Sequence, residues 1–133
     1  MATIYSLGYG GRRLEDLISL LKEHNISLIA DVRRFPKSKD PNFIMENLEA
    51  NLREQGINYV FLGDFLGGFR RGGYKRYASK DPKYTEGIKK LLNFSRLHGN
   101  IAVLCRERKV SGCHRRYIIE TLRKLSIPTV NLQ

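Results

Sequence analysis

Short apolar runs alternate with segments of helical periodicity along the chain, and this alternation restricts the fold more than any other feature of the sequence. The runs suited to strands span residues 3–7, 27–32, 58–62, 101–105 and 129–132. The segments between them carry apolar residues at helical spacing, as Leu14, Leu17 and Leu21 do in the first one. Strands separated by helices predict a parallel sheet joined by crossover connections. We therefore expect a single α/β domain over residues 1–133, with a parallel sheet of about five strands flanked by helices.

The segment after the third strand departs from this pattern. Residues 63–80 are rich in glycine and show little apolar periodicity. A loop of this length is uncommon in a compact domain unless it binds something, so we expect a long, irregular, functional loop here. Asp81 and Pro82 then form a typical helix start, and Pro41 with Asn42 is expected to begin the second helix.

The chain is strongly basic, with a formal net charge of +11 from 24 Lys and Arg against 13 Asp and Glu. Such an excess indicates a polyanionic partner: nucleic acid first, then an acidic membrane surface, with a generally charged surface as the alternative. The segments that follow the first four strands hold 15 of the 24 basic residues, whereas the short connections at the opposite edge hold none. Open parallel sheets bind ligands at the carboxyl ends of their strands. We therefore expect this edge to bind nucleic acid, with DNA favoured over RNA as the partner.

Glycines and aromatic rings lie among these basic residues. Basic grooves with stacking rings hold unpaired nucleotides, so Tyr74 and Tyr77 are interpreted as ligand contacts, whereas Phe65 is expected to pack beneath the loop. The residues predicted to contact the substrate or its phosphates are Gly8, Tyr9, Gly10, Arg33, Arg34, Ser38, Gly67, Gly68, Arg70, Arg71, Tyr74, Lys75, Arg76, Tyr77, Cys105 and Arg115.

Two carboxylates are candidates for acid–base chemistry. Asp31 is the one acidic residue in the apolar run 28–32, and Glu107 lies two residues beyond the fourth strand. Carboxylates at neighbouring strand ends can face one pocket, where they activate water or stabilise a cationic transition state. The alternative for Asp31 is structural, because Arg33 follows two residues later on the same face of the strand and can pair with it. Metal binding by Asp31 is the weakest interpretation, since few other ligands are evident.

Cys105 lies where the fourth strand meets a basic loop, and Arg106 beside it would favour a thiolate. This placement resembles rhodanese-like sulfurtransferases, in which a strand ends in the catalytic cysteine. The loop after Cys105 is longer and bulkier than the compact anion cradle of those enzymes. We therefore predict that Cys105 is a buried strand-end residue near the anion site and not the nucleophile.

Cys113, His114 and Arg115 begin the last helix. His114 and Arg115 near a helix N-terminus are good donors to an anion, and we assign His114 to the catalytic set with Asp31 and Glu107. The two cysteines and His114 offer three zinc ligands, but the usual paired cysteine spacing is missing. We therefore expect no bound metal and no cofactor.

The sequence also predicts the setting of the protein. Two cysteines do not make a disulfide framework, and the first residues lack the long apolar run of a signal peptide. No stretch approaches the roughly 20 apolar residues of a membrane span. We expect a cytoplasmic protein without membrane association.

Five motifs in order resemble the family of domain of unknown function 488, DUF488. They are Gly8-Tyr9-Gly10-Gly11 with an arginine, Asp31-Val32-Arg33 with Pro36 and Ser38, Tyr59 with Leu66-Gly67-Gly68, Cys105 with Glu107, and Cys113-His114-Arg115. The resemblance spans nearly the whole chain and implies one DUF488-like domain. It implies a link to nucleobase or DNA-repair chemistry and supplies no assigned activity.

Three functions are open at this point. The first is a nucleic-acid-binding enzyme that acts on a modified or damaged nucleobase, most simply as an N-glycosidase-type DNA glycosylase. Asp31 or Glu107 would stabilise the sugar cation or activate water, while His114 and Arg33 stabilise the departing base and rings hold the extruded nucleotide. The alternatives are a rhodanese-like sulfurtransferase that uses Cys105 and a non-catalytic DNA- or RNA-binding protein.

Overall fold

Strands and helices alternate along the chain. The computed structural model describes residues 2–110 and 113–132. The elements in chain order are β1 (Ile4–Gly8), α1 (Leu14–Glu23), β2 (Leu28–Asp31), a 3-10 turn (Pro41–Phe43), α2 (Met45–Glu54), β3 (Asn58–Phe61), α3 (Gly63–Leu66), α4 (Tyr74–Lys80), α5 (Pro82–His98), β4 (Ile101–Cys105), α6 (Arg115–Lys124) and β5 (Thr129–Leu132). The strands match the predicted runs to within one residue at each end.

The five strands form an all-parallel sheet in the order β3-β2-β4-β1-β5. The register places Asp31 at the end of β2 beside Leu104 of β4, and Gly8 at the end of β1 beside Cys105 of β4. The carboxyl ends of the three central strands therefore meet at one edge of the sheet. The predicted fold, one α/β domain with a parallel sheet flanked by helices, is confirmed.

Helices cover both faces of the sheet. Leu17 of α1 and Leu48 of α2 pack on one face, and Leu91 of α5 and Ile118 of α6 pack on the other. β2 and β4 are buried along their whole length, which is why both are continuous apolar runs rather than alternating ones. Within the part of the chain that the structure describes, no helix combines the length and the apolarity needed to cross a bilayer.

A crevice opens between the carboxyl ends of β2 and β4 because the chain leaves these neighbouring strands in opposite directions. After β2 it moves outward to β3 at one side of the sheet, and after β4 it crosses to β5 at the other. Ligands of open α/β sheets bind at such a switch point. The topology therefore brings the segments that follow β2 and β4 together as the walls of one site.

The start of α2 differs from the prediction. The Asp40 side chain accepts a hydrogen bond from the backbone N–H of Asn42 and caps the 3-10 turn, after which the backbone becomes extended at Ile44. α2 itself begins at Met45. The turn buries Phe43, whose ring stacks on Tyr9 with centroids 4.4 Å apart. Tertiary packing of one ring thus interrupts what local signals predict as a single helix.

Residues 63–80, predicted as one irregular loop, contain the two short helices α3 and α4. The Arg70 guanidinium donates to three carbonyl groups in and just after α3, at 2.7 to 3.2 Å. The hydroxyls of Tyr74 and Tyr77 donate to carbonyl groups of α3. These bonds from side chains to the backbone stabilise helices that lack apolar periodicity, so the irregular part is confined to residues 67–73.

Candidate functional site

A cavity of about 460 Å³ occupies the crevice between the ends of β2 and β4, and we call it the central cavity. All four of the strand-end segments predicted to bind the ligand contribute to its walls. The lining residues are Tyr9, Arg33, Arg34, Phe35, Lys37, Gly68, Phe69, Tyr74, Cys105, Arg106, Glu107, Cys113 and His114.

The Asp31 carboxylate is fully buried below this cavity and forms a two-point ion pair with Arg33. Arg33 Nε donates to Oδ1 at 2.9 Å, and Nη2 donates to Oδ2 at 2.7 Å. Oδ1 also accepts the backbone N–H of Arg33 at 3.1 Å, and Oδ2 accepts the Tyr59 hydroxyl at 2.6 Å. Asp31 is absent from the lining of the central cavity. The geometry therefore matches the structural alternative, and a catalytic role for Asp31 stays a prediction that these contacts do not favour.

Arg33 is the member of this ion pair that reaches the cavity lining. Its Nη1 donates to the carbonyl oxygen of Phe43 at 2.6 Å, and its guanidinium carbon lies 5.3 Å from the centroid of the Tyr9 ring. Burial alone would lower the pKa of Arg33, but the Asp31 carboxylate outweighs burial and raises it. Burial and then the Asp31 charge raise the pKa of Tyr59. Arg33 is therefore a permanently charged and rigidly held donor at the cavity floor.

The other side of the cavity floor holds two free cysteines above a buried arginine. Arg115 is 1% exposed, and its Nε donates to Cys105 Sγ at 2.8 Å. Its Nη atoms donate to Ser6 Oγ and to the carbonyl oxygen of Glu107, and its backbone N–H donates to Cys113 Sγ at 3.5 Å. No carboxylate of the described residues pairs with Arg115. Because a buried charge is costly without a partner, the thiols are the candidates for its counter-charge.

The two thiols titrate as a pair. The hydrogen bond with Cys105, the His114 ring and the backbone N–H of Arg115 together lower the pKa of Cys113 to about 4. The neighbouring Cys113 thiolate and burial raise the pKa of Cys105. Cys113 therefore loses its proton easily, whereas Cys105 keeps its proton.

His114 connects the start of α6 to the segment after β2. Its Nε2 lies 2.9 Å from the carbonyl oxygen of Val32, which can only accept, so Nε2 carries a proton. Nδ1 is then the acceptor in the neutral ring, and it lies 3.6 Å from Cys113 Sγ. The Tyr74 ring packs against His114 with centroids 5.1 Å apart. His114, predicted as a catalytic residue, is thus oriented as a base toward Cys113.

Glu107 is exposed and lines the central cavity, whereas Asp31 lies outside the lining. The sequence raised the possibility that these two carboxylates face one pocket, and the structure does not bring them together. The Glu107 carbonyl accepts a hydrogen bond from Arg115, which fixes its backbone next to the thiols. Glu107 is therefore the carboxylate available to a ligand in the central cavity.

Two further basins adjoin the central cavity along the carboxyl edge. The first, of about 700 Å³, shares Tyr9, Lys37 and Arg106 with it, and the second, of about 460 Å³, shares Arg34 and Phe69. We call the three basins together the basic track. Its acidic residues are Asp40, Asp81 and Glu107, and its basic residues are Arg12, Arg13, Arg33, Arg34, Lys37, Lys39, Arg70, Arg71, Arg76, Lys80 and Arg106.

Buried donors along the basic track lack acceptors. Nη2 of Arg12 and Nη1 of Arg34 are enclosed, and no acceptor among the described residues bonds to either one. Buried polar groups normally have partners, so these two donors point to an anion. Of the predicted anion contacts on this segment, Arg71 and Arg76 are exposed in the second basin, while Lys75 is exposed on α4 outside the lining.

The predicted ring contacts divide into buried and exposed groups. Tyr9 and Tyr77 belong to the core at 5% and 6% exposure, although each also lines a basin. Phe65 packs against the core as expected. Phe35 and Phe69 are 61% and 86% exposed, with ring centroids 5.8 Å apart at the cavity rim. The two phenyl rings are the aromatic surface best placed for a ligand.

The predicted glycine contacts serve packing between loops. A β-carbon on Gly8 would lie 1.8 Å from the Glu107 carbonyl oxygen, and one on Gly10 would lie 2.7 Å from that of Arg106. Gly67 packs on the backbone of Arg34, and Gly68 packs on the His114 ring. Ser38 lines the first basin, where its hydroxyl accepts the backbone N–H of Asp40. These residues therefore position the walls of the basins.

Sequence reasoning missed the contact of Cys113 with His114, because it considered Cys113 only as a zinc ligand. It also missed Ser6, which supports Arg115 from the neighbouring strand β1. A signal for each was present: Ser6 is a polar residue inside an apolar run, and Cys113 directly precedes a histidine at a helix start. The signal at Ser6 does not identify its partner, because Arg115 lies 109 residues further along the chain.

A family model described as domain of unknown function DUF488 matches residues 13–122, which include most of the segments that form the three basins. No curated protein matches the chain.

Proposed function

The chain belongs to the DUF488 family, whose function is unknown, and we propose that it is a nucleic-acid-binding enzyme that acts on a nucleobase. The observation that carries this proposal is the basic track, in which eleven cations and three acidic residues line the cavity at the switch point of the sheet and the two basins beside it. Clustered positive charge of this kind is the electrostatic footprint of nucleic-acid binding.

The length and shape of the track favour a single strand over one small ligand. The central cavity has the volume of a pocket for a drug-sized molecule, and a basic basin continues on each side of it. One nucleotide would occupy the central cavity while neighbouring phosphates contact the flanking basins. Arg12 and Arg34 line different basins, and the guanidinium group of each would pair with a phosphate there.

The exposed rings support the same orientation of the ligand. Phe35 and Phe69 form a tilted pair at the cavity rim, and exposed phenyl rings are costly unless something covers them. Stacking of a base on an aromatic ring contributes about 1–3 kcal/mol and tolerates any base. The two rings would therefore hold an unstacked base at the entrance.

Glu107 is the catalytic carboxylate in this proposal. Cleavage of an N-glycosidic bond builds positive charge on the sugar as the bond electrons leave with the base, and water adds to the sugar carbon. Glu107 would stabilise the sugar cation or take the proton of the attacking water. The remaining N–H groups of Arg33 would donate to the departing base.

Binding is tested with a fluorescent single-stranded oligonucleotide across a range of salt concentrations. Substituting Arg71, Arg76 and Lys80, which are exposed in the second basin, with serine should weaken binding and reduce the slope of log Kd against log salt by about two, at about 0.7 per phosphate contact. The matched control replaces Lys89, Arg96 and Lys124, which are exposed on α5 and α6, and loses the same charge. Equal effects of the two triple variants would contradict a specific basic track.

Catalysis is tested by incubating the protein with oligonucleotides that carry deaminated, oxidised or alkylated bases and by measuring released base. We expect release from at least one substrate, and Glu107→Gln should abolish release while it preserves binding. Absence of release from every substrate would reduce the proposal to a non-catalytic binder. An active Glu107→Gln protein would exclude Glu107 as the catalytic carboxylate.

A further inference from the structure

We propose that Cys113 and Cys105 form a two-thiol exchange site that reduces small anionic disulfides, with His114 as the base and Arg115 as the buried support. This site is independent of the nucleobase chemistry proposed above. It rests on the geometry of four side chains in the floor and wall of the central cavity.

Cys113 is placed as the attacking thiol. His114 Nδ1 lies 3.6 Å from its Sγ, and the Val32 carbonyl orients the ring through Nε2 at 2.9 Å. A nucleophile, a base and a group that orients the base are the parts of an activated thiol. The backbone N–H of Arg115 at the start of α6 also donates to Cys113 Sγ. Cys113 is 8% exposed and Cys105 only 3%, so Cys113 is the more accessible of the two residues.

Cys105 is placed as the second thiol. It lies deeper in the same cavity and accepts a hydrogen bond from Arg115 Nε at 2.8 Å. While Cys113 is a thiolate, its charge raises the pKa of Cys105 and keeps that thiol protonated. Once Cys113 is bonded to a substrate sulfur this charge is gone, and the buried Arg115 guanidinium is left to favour a thiolate at Cys105. The arrangement therefore activates the second thiol only after the first has reacted.

The chemistry balances as two exchange steps. The Cys113 thiolate attacks one sulfur of the disulfide R–S–S–R, the S–S bond breaks, and the leaving thiolate takes a proton from the His114 imidazolium. Cys105 then loses its proton to the neutral His114 ring and attacks Cys113 Sγ, and the second thiolate that this attack expels takes the proton from His114. The substrate gains two electrons and two protons, and the protein gains a Cys105–Cys113 disulfide. A dithiol reductant returns the pair to its starting state.

The surroundings select an anionic substrate. Arg34, Lys37 and Arg106 line the cavity around the thiols, against the single carboxylate of Glu107. Attraction of this kind raises encounter rates by about tenfold or more. The substrate class is therefore a low-molecular-weight disulfide that carries carboxylate groups.

The probe for the experiment is 5,5′-dithiobis(2-nitrobenzoate), a dianionic disulfide that releases a coloured thiol. The reduced protein should release two coloured thiols per chain, and its mass should then show an internal disulfide with no attached probe. Cys105→Ala should release one and retain one as a stable mixed disulfide. Cys113→Ala should lose the fast phase of release.

Several results would overturn the proposal. If the wild-type protein retains two probe groups, the thiols react independently and no exchange pair exists. If Cys113→Ala keeps the fast phase, Cys113 is not the attacking thiol. Because the wild-type mass alone decides the first point, the test does not depend on the folding of either variant.

Substrate preference is measured by comparing this probe with cystamine, a cationic disulfide. We expect the anionic probe to react about tenfold faster, and Lys37→Ser should reduce that ratio while Lys89→Ser, a charge change on α5, should not. Equal rates for both disulfides would overturn the substrate class. Oligonucleotide binding and base release need no thiol chemistry, so failure here is distinguishable from failure of the proposed function.

Discussion

Arg33 holds both carboxylate oxygens of Asp31 while the two side chains are only 5% and 0% exposed. The pair lies at the end of the central strand β2, directly beneath the candidate site. Its geometry explains why an acidic residue can end an apolar strand, since two charge-assisted hydrogen bonds offset its burial.

Asp31→Asn should destabilise the protein by about 3–5 kcal/mol, because it leaves the Arg33 charge buried without its partner. Urea unfolding monitored by circular dichroism measures the loss. The control replaces both charges, Asp31→Leu with Arg33→Met, and should cost less than Asp31→Asn alone. If Asp31→Asn is instead as stable as the wild type but inactive in base release, the catalytic assignment of Asp31 is restored.

Alkaline pH should destabilise the protein through its buried phenols. Burial and then the Asp31 charge raise the pKa of Tyr59, and burial and then Tyr84 raise that of Tyr74. A raised folded pKa means that this stability is complete below the unfolded value of about 10 and is lost as pH rises above it. Tyr59→Phe should make the free energy of unfolding fall less steeply above that pH. An unchanged slope would show that Tyr59 ionises freely in the folded protein.

Gly8→Ala should distort the junction of β1 with the segment after β4. The added methyl group would lie 1.8 Å from the Glu107 carbonyl oxygen, and both partners are backbone, so the strain is about 1–3 kcal/mol. Gly56→Ala is the control, because its methyl group meets no atom within 4 Å and only the positive φ is strained. Thermal unfolding compares the stability of the two variants. Disulfide exchange at Cys113 should be slowed by Gly8→Ala and not by Gly56→Ala. Equal rates of disulfide exchange in the two variants would show that Gly8 does not help to position Cys113.

Alkylation by iodoacetamide should identify the activated thiol. Because the pKa of Cys113 is lowered to about 4, with Cys105 as the largest cause, the alkylation rate of Cys113 in the wild-type protein should stay nearly constant between pH 8 and pH 6, as followed by peptide mass. An ordinary thiol slows about tenfold per pH unit over this range. The titratable or charged groups that face Cys113 or share its cavity are Tyr9, Arg33, Arg34, Lys37, Tyr74, Cys105, Arg106, Glu107, His114 and Arg115. A tenfold loss of the alkylation rate per pH unit would show that the pKa of Cys113 is not lowered.

The fold was predictable from the sequence because buried strands have a recognisable apolar pattern. β2 and β4 are covered by helices on both faces, so they must be continuous apolar runs, and their order along the chain dictates parallel pairing. The concentration of basic residues at one edge follows from the same reasoning. The segment 63–80 was less predictable, because α3 and α4 depend on bonds from Arg70 and tyrosine hydroxyls to distant carbonyl groups.

The location of the site at the strand-end edge was predictable, but the residues that line its cavity were not all predictable. Glu107 and His114, two of the predicted catalytic residues, line the central cavity, whereas the third, Asp31, and the predicted ligand contact Arg115 are buried outside its lining. A strand-end residue can point into the crevice or back under the sheet, and periodicity does not separate these outcomes. Partner identity decides between them: Arg33 secures Asp31, and Ser6 with Cys105 secures Arg115.

The Tyr74 ring contacts the rings of Tyr77, Tyr84 and Tyr117 at centroid distances of 5.5 to 6.0 Å, which ties the seven-residue α4 to α5 and α6. A helix of this length does not persist without such support. Much of the wall of the second basin is therefore ordered during folding, and a strand that binds there does not bear that entropic cost. Association should then be fast and show a small change in heat capacity, as for a preformed surface rather than one that folds around its ligand.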